Sequence, residues 1–396
     1  MTSTSPESLA LDYANRAEVA ASQQDYQQAS ELFAQAASTV GLDIPLQWRY
    51  RNQQALMLAE FGRVFRNNTA LEDAIRLYDT TVVELAPQKE RPDDWATTQH
   101  LLGNAMGLLG QRQRATVMLE RAIRVFENLL QVRTRETAPL EWATTLDNYG
   151  NVLGTLGQRR ANTGMLEKAI EAFESALEER TRELAPMDWA ATQNNLGTAL
   201  QVLGQREKDP KLLKKSVDAY KNALQEWTRE RVPLSWATTF NNMGTVLRLL
   251  GETRKGPRTL EQSIAAFQNA LAERTRERVP QEWALTQNNL GAAFQSLGLR
   301  QGDPQLLEQA ITAFENTLKE VTRERTAMGW AMTLANLGAA RMKLAEMTKN
   351  SDVALMALND FDEVVKYFQE VSHSQYMELG EEQRKKAQEL VTALSD

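Results

Sequence analysis

Seven of the eight tryptophans are Trp48, Trp95, Trp142, Trp189, Trp236, Trp283 and Trp330, and each stands 47 residues after the one before. Six have proline three positions earlier, at Pro45, Pro92, Pro139, Pro186, Pro233 and Pro280; the seventh has Ala327. Glycine follows six of them at the eighth position, at Gly103, Gly150, Gly197, Gly244, Gly291 and Gly338. It follows five at the fifteenth, at Gly110, Gly157, Gly204, Gly251 and Gly298. A period of this length repeated across 396 residues means one supersecondary unit used many times. Such a unit cannot bury its apolar face alone, so successive copies stack and share a continuous core.

Each unit reads as two helices. In 139–157, Trp142, Leu146, Tyr149, Gly150, Leu153 and Leu156 fall at helical spacing and not at strand alternation. Pro139 suits a first turn, where its missing N–H costs nothing, and Gly157 is expected to stop the helix. The second helix carries Leu166, Ala169, Ile170, Phe173, Ala176 and Leu177 on one face. Asp209-Pro210 and Asp303-Pro304 predict an N-cap followed by proline at the first helical position. Thr69 with Glu72 predicts a capping box. No segment reads as a strand, and short connections make the helices of a pair antiparallel.

Small–aromatic–small triplets mark the second helices, as in Ala169/Phe173/Ala176, Ser216/Tyr220/Ala223 and Ser263/Phe267/Ala270. Leu-Gly pairs mark the first, as in Leu102-Gly103, Leu196-Gly197 and Leu290-Gly291. With these the chain resembles the tetratricopeptide repeat family over about residues 10–365, in a form lengthened to 47 residues per unit. The resemblance implies an all-α fold, a right-handed α-solenoid of antiparallel helix pairs. It implies a single solenoid over 1–396: a short helix pair in 1–41 with Tyr26, Ala29, Phe33 and Ala36, seven pairs over 42–376, and a capping helix at 377–396. The ends depart from the pattern. Gly62 and Ala74/Tyr78 align with the next unit at 48, Arg341 replaces a leucine, Ala345 replaces the second glycine, and Met377 stands where an eighth tryptophan would fall.

The first helices carry rows of polar residues. Counting from tryptophan, offset 5 holds His100, Asp147, Asn194, Asn241 and Asn288, and offset 9 holds Asn104, Asn151, Thr198 and Thr245. Offset 6 holds Asn148, Asn195, Asn242, Asn289 and Asn336. In the resembled family the face at offsets 2, 5, 9 and 12 lines the concave groove where partners bind. Asparagine offers a donor and an acceptor, so such a row can hold a peptide backbone. The Asn-rich stretch is also similar to kinesin light chain repeats, in which groove asparagines hold cargo peptides. The other reading is a hydrogen bond between repeats that satisfies a buried group. Offset 6 borders the core stripe and favours that reading; offsets 5 and 9 point further out and favour a partner. At the groove offsets from Trp95 onward, the only basic residue besides His100 is Arg248, so a clamp on a partner's terminal carboxylate is not expected.

Two further ladders follow the period. Thr-Arg-Glu recurs at 134–136, 181–183, 228–230, 275–277 and 322–324; its arginines are expected to pair with glutamates of the next unit, or with Glu141, Asp188 and Glu282 beside the tryptophans. Arg112, Arg114, Arg159, Arg160, Arg206, Arg254 and Arg300 lie in the connections between paired helices. There they favour the negative end of the helix dipole or face an acidic partner.

Composition removes most other functions. The chain has no cysteine and two histidines, His100 and His373, so disulfides, thiolate chemistry and multi-histidine metal sites have no material. Its net charge of −7 gives no footprint for nucleic acid or an anionic membrane. No apolar run is long enough to span a bilayer, and the polar opening MTSTSPESLALDY is not a secretory signal. Catalytic motifs are absent. The expectation is therefore a noncatalytic, cytoplasmic scaffold without cofactor or metal, binding a protein or peptide in its groove. The alternative is a structural or regulatory subunit that self-associates or packs in a larger complex through its convex face or loop edge.

Overall fold

The computed structural model describes residues 5–395, among which every regular element is helical and none is a strand. The chain forms two compact units, Met1–Leu203 and Gly204–Asp396. In the first, α1 (Pro6–Ser22) packs on α2 (Tyr26–Thr39), and α3 (Ile44–Val64) on α4 (Asn68–Leu77). α4 runs through one π-helical turn, Tyr78–Val82, into the short α5 (Val83–Leu85). Then α6 (Pro92–Arg112) packs on α7 (Val117–Leu130), and α8 (Pro139–Arg159) on α9 (Thr163–Glu179). The division of the chain falls within α10 (Pro186–Glu207). The second unit holds α11 (Pro210–Ala223), the pair α12 (Pro233–Thr253) and α13 (Arg258–Leu271), and the pair α14 (Pro280–Gln301) and α15 (Pro304–Leu318). It closes with α16 (Arg323–Thr348), α17 (Ser351–Glu370) and α18 (Ser374–Ser395). Consecutive packed helix pairs of this kind are the α-solenoid arrangement.

Sequence accounts for the ends of these helices. Pro92, Pro139, Pro186, Pro233 and Pro280 each open one, with no N–H to leave unpaired. The residue before proline is forced out of the helical region: Arg91, Ala138, Val232 and Val279 all lie near φ −139 to −152°, ψ 65 to 73°. Thr326 keeps that conformation (φ −146°, ψ 61°) although Ala327 replaces the proline, and α16 therefore starts with a kinked extra turn. Asp209 and Asp303 cap α11 and α15, accepting from Lys211 N and Gln305 N. The capping box expected at Thr69 does not form. Asn67 is the N-cap of α4, accepting from Ala70 N at 3.0 Å, because the helix starts two residues earlier than the Thr–Glu spacing suggests.

The glycines have a different task from the one expected of the second of them. Gly157 does not stop α8, which runs on to Arg159. A Cβ at Gly110 or Gly251 would lie 2.7 Å from the Leu119 or Leu260 side chain of the facing helix. A Cβ at the first glycine would strike an aromatic ring: Phe126 at 2.7 Å from Gly103, Phe173 at 2.8 Å from Gly150, Phe267 at 2.8 Å from Gly244 and Phe314 at 2.8 Å from Gly291. Each pair is thus locked twice, by a ring and by a leucine set against bare backbone. These rings are fully buried, and each contributes about 1.5–3 kcal/mol of apolar burial.

Neighbouring pairs are tied by arginine. Arg135, Arg229 and Arg276 reach Glu179, Glu273 and Glu320 of the next repeat at 2.5–2.6 Å, and Arg323 reaches Glu370. The same guanidiniums lie 5.6–5.9 Å from the centroids of Trp142, Trp236, Trp283 and Trp330, a cation–π distance. Glu141 and Glu282 beside the tryptophans are not their partners. Three of the arginines expected in the connections stand instead in the last turns of α6, α8 and α14, and each closes the previous first helix. Arg159 donates to the carbonyls of Gly110, Gln111 and Gln113 at 2.6–2.7 Å. Arg112 does so for Gly62 and Arg63, and Arg300 for Gly251, Glu252 and Gly256. They satisfy carbonyls that a helix end leaves without partners.

Candidate functional site

The two asparagine rows meet across repeats. Asn195 Nδ2 donates to Asp147 Oδ1 at 3.2 Å, and Asn289 Nδ2 donates to Asn241 Oδ1 at 3.1 Å. Offset 6 of one repeat therefore bonds offset 5 of the repeat before it. Offset 5 was expected to point further out than offset 6, and this is corrected: Asp147 is 7 % exposed and Asn241 5 %, whereas Asn148, Asn195, Asn242, Asn289 and Asn336 are half-buried. The reason is that the next repeat's first helix packs over offset 5, which its own helix leaves open. Asn241 also donates to Asn242 Oδ1 at 3.3 Å. Asn194 and Asn288 are half-buried, and the Asn288 Oδ1 atom is buried with no hydrogen-bond partner.

Arginines that the sequence reading passed over sit beside this row. Arg180 and Arg274, 38 residues after Trp142 and Trp236, are 6 % and 5 % exposed. Arg180 donates to Thr144 and Thr192 at 2.8 and 3.0 Å and lies 3.8 Å from Asp147. Arg274 donates to Thr238 and Thr286 at 2.9 and 3.0 Å. Each guanidinium thus bridges threonines of two successive first helices. The signal was available, since Arg133, Arg180 and Arg274 share the 47-residue register with Thr97, Thr144 and Thr238. At Asn288 the corresponding position is Val321, whose side chain has no donor. Burial pushes the Asp147 carboxyl up from its ordinary value, against the pull of Arg180 and the Asn195 amide. Burial, then the charges of Arg133 and Arg180, push the His100 imidazole down to about 4.

Within the first unit the first helices line an open cavity of about 350 Å³. Leu56, Ala59, Glu60 and Arg63 of α3 form one wall, residues 101–111 of α6 the middle, and Asn148, Asn151 and Val152 of α8 the other wall. Leu71, Tyr78 and Phe126 of the second helices form the floor. Of the sequence-predicted residues, the cavity gathers Asn104, Asn148 and Asn151. Two of their amides have a partner within their own helix. Asn104 Nδ2 lies 3.1 Å from His100 Nε2, and Asn151 Nδ2 lies 3.4 Å from Asp147 Oδ2. Both amide nitrogens are thus engaged within their own helix, and the carboxamide oxygens remain as acceptors. A second cavity of about 110 Å³ continues the groove, sharing Asn151 and adding Gly154, Asn195 and Thr198. The arrangement offers apolar contact and hydrogen bonds. Among the described residues no cluster of three acidic or histidine side chains could hold a metal ion, and no helix is long and apolar enough to cross a membrane.

No curated protein matches the chain in sequence. Among solved structures, the apo form of RapI aligns over 97% of this chain and 99% of its own at 12% identity and a TM-score of 0.49. The apo quorum sensor NprR from B. thuringiensis covers 97% and 98% at 15% identity and a TM-score of 0.45. The C-terminal part of a TPR repeat-containing protein from Cytophaga hutchinsonii covers 81% and 95% at 13% identity and a TM-score of 0.45. Residues 95–134, which hold most of α6, all of α7 and the start of the following loop, match the tetratricopeptide repeat family model.

Proposed function

We propose that the chain is a noncatalytic scaffold that binds an extended peptide segment of a partner protein along the first helices, with Asn104, Asn148 and Asn151 as the principal contacts. One observation carries this reading: adjacent repeats bring Asn104, Asn148 and Asn151 together in the lining of one cavity, with the amide nitrogens of Asn104 and Asn151 engaged within their own helices. A peptide backbone supplies N–H donors at regular intervals, and such donors are what the carboxamide oxygens lack. Asn195 and Asn289 serve the stack, because their amides are engaged by the preceding repeat. Asn194 is a secondary position in the first unit, and Asn242, Asn288 and Asn336 hold the corresponding offsets in the second, whereas Asn241, buried and bonded to Asn289 and Asn242, serves the stack. The array is read as one helix pair per 47-residue unit, with 377–396 closing it. The test is selection from a random-peptide display library on the full chain, followed by triple alanine replacement of Asn104, Asn148 and Asn151. Selected peptides should lose affinity by about tenfold or more per hydrogen bond removed, with the urea midpoint little changed. Peptides that bind the triple variant as well as the original would overturn the assignment.

A further inference from the structure

At the edge where paired helices connect, the first unit holds a basic cluster that the groove reading leaves unused. Arg112, Gln113, Arg114 and Thr116, with Arg159 of the next repeat, line another open cavity of about 420 Å³. Arg112 and Arg159 are tied to backbone carbonyls and to no carboxylate: Arg112 to Gly62 and Arg63, Arg159 to Gly110, Gln111 and Gln113. Such bonds hold a guanidinium in place without an opposite charge beside it. Arg159 uses three of its five N–H groups in them, so two remain. Arg114 is exposed and has no hydrogen-bond or ion-pair partner among the described residues. Ala161 and Gly302 hold its place in other repeats, so the fold does not need an arginine there. Burial and then the charge of Arg66 lower the Arg112 pKa, which places a fourth guanidinium close by. The carboxylates in touch with these residues are Glu72, which accepts from Gln113 at 3.4 Å, and Glu120, which pairs with Arg160. Two negative charges thus stand among five arginines, and like charges held this close repel unless an anion sits among them. The cluster also continues the groove. Arg63 and Gln111 line the groove cavity, and their carbonyls are held by Arg112 and Arg159.

We propose that this edge is a phosphate-monoester site, and that it takes a phosphorylated side chain of the partner segment lying in the groove. The proposal rests on the peptide-groove reading given above and adds a second contact at the groove's end. At neutral pH a phosphate monoester carries a charge near −2 and three strong acceptor oxygens. That suits donors which reach one cavity from three backbone positions on two repeats. A carboxylate brings one negative charge and would leave most of the excess in place. Guanidiniums meet phosphate with two parallel N–H bonds, and those of Arg112 and Arg159 are already positioned, so little ordering entropy is lost on binding.

The test titrates the full-length protein with methyl phosphate, dimethyl phosphate and acetate, followed by ligand-observed magnetic resonance. At pH 7.5 methyl phosphate should bind about tenfold or more tightly than either of the others, and it should lose most of that advantage at pH 5, where it has regained a proton. Arg114→Gln should weaken it by about fivefold or more with the urea midpoint unchanged. Arg124→Gln, which removes the same charge from an exposed site on α7, should change it by less than about twofold. The proposal is overturned if acetate binds as well, if the advantage survives at pH 5, if the two variants weaken binding alike, or if no probe binds. Equal binding of dimethyl phosphate, a diester like the backbone of nucleic acid, overturns it in favour of a nucleic acid. Selection from a phosphoserine peptide library separates the two levels. Peptides that bind as well without their phosphate overturn the edge site and leave the groove. Peptides that need phosphate and Arg114 but are indifferent to alanine at Asn104, Asn148 and Asn151 overturn the groove and leave the edge site. Recovery of no peptide overturns the groove, and the methyl phosphate titration still decides the edge.

Discussion

The side chain at offset 5 shows how one position carries different chemistry from repeat to repeat. It is His100, then Asp147, Asn194, Asn241 and Asn288, and at Asp147 and Asn241 it is the acceptor for the next repeat's asparagine. His100 belongs to this set, but its Nδ1 is buried without a partner, and its pKa falls to about 4. A base whose pKa is lower folded than unfolded keeps full stability above its unfolded value, near 6.5. It loses stability as the pH falls from there towards 4, since the unfolded chain takes up the proton first. His100→Asn, which installs the residue of three later repeats, should therefore remove up to about 3 kcal/mol of pH dependence across that window. Urea melts of both proteins at pH 7 and pH 4.5 check this, and equal losses on acidification would show that His100 is not the titrating group.

Whole helices obey the sequence more closely than side chains do. The helix starts at proline and the small–aromatic–small faces were legible from spacing alone, because those properties are local. The second glycine's task was misread, since a stop signal and a close helix contact select the same residue. The burial of Asp147 and the bridging by Arg180 and Arg274 were not legible, because their partners lie on another repeat and depend on how the helices cross. The cavity was hidden for the same reason, as it takes residues from five helices. Arg159 illustrates the element scale. It donates to three carbonyls at the end of α6, so Arg159→Ala should cost about 1–3 kcal/mol by leaving them exposed or unpaired. Lysine, lacking the planar fork, should recover only part of this. Denaturant midpoints of the two variants test it, and full rescue by lysine would show that charge alone suffices.

Within each unit the helices pack on their neighbours in sequence or on the next but one, and α3 also reaches α6 past the short α5. A perturbation therefore spreads from neighbour to neighbour. α18 covers the last pair: Ala387, Leu390 and Val391 pack with Met342, Ala357, Leu358 and Phe361. Deleting 374–396 should expose that cluster, lower solubility and raise amide exchange in α16 and α17, while α1–α9 keep their protection. Exchange mapped by mass spectrometry decides this, and unchanged protection in α17 would show that α18 does not cap the array.

The arginine clasp also has a direction. The group that closes the end of α6 is Arg159, at the far end of α8, and the group that closes α12 is Arg300, at the far end of α14. On the ribosome these helices emerge with their last carbonyls bare, and each must wait for another 47 or so residues before its clasp exists. A nascent chain of this kind is always one repeat short of finished. Its growing end stays loose and its older part set, so synthesis itself dictates the order in which the repeats become rigid.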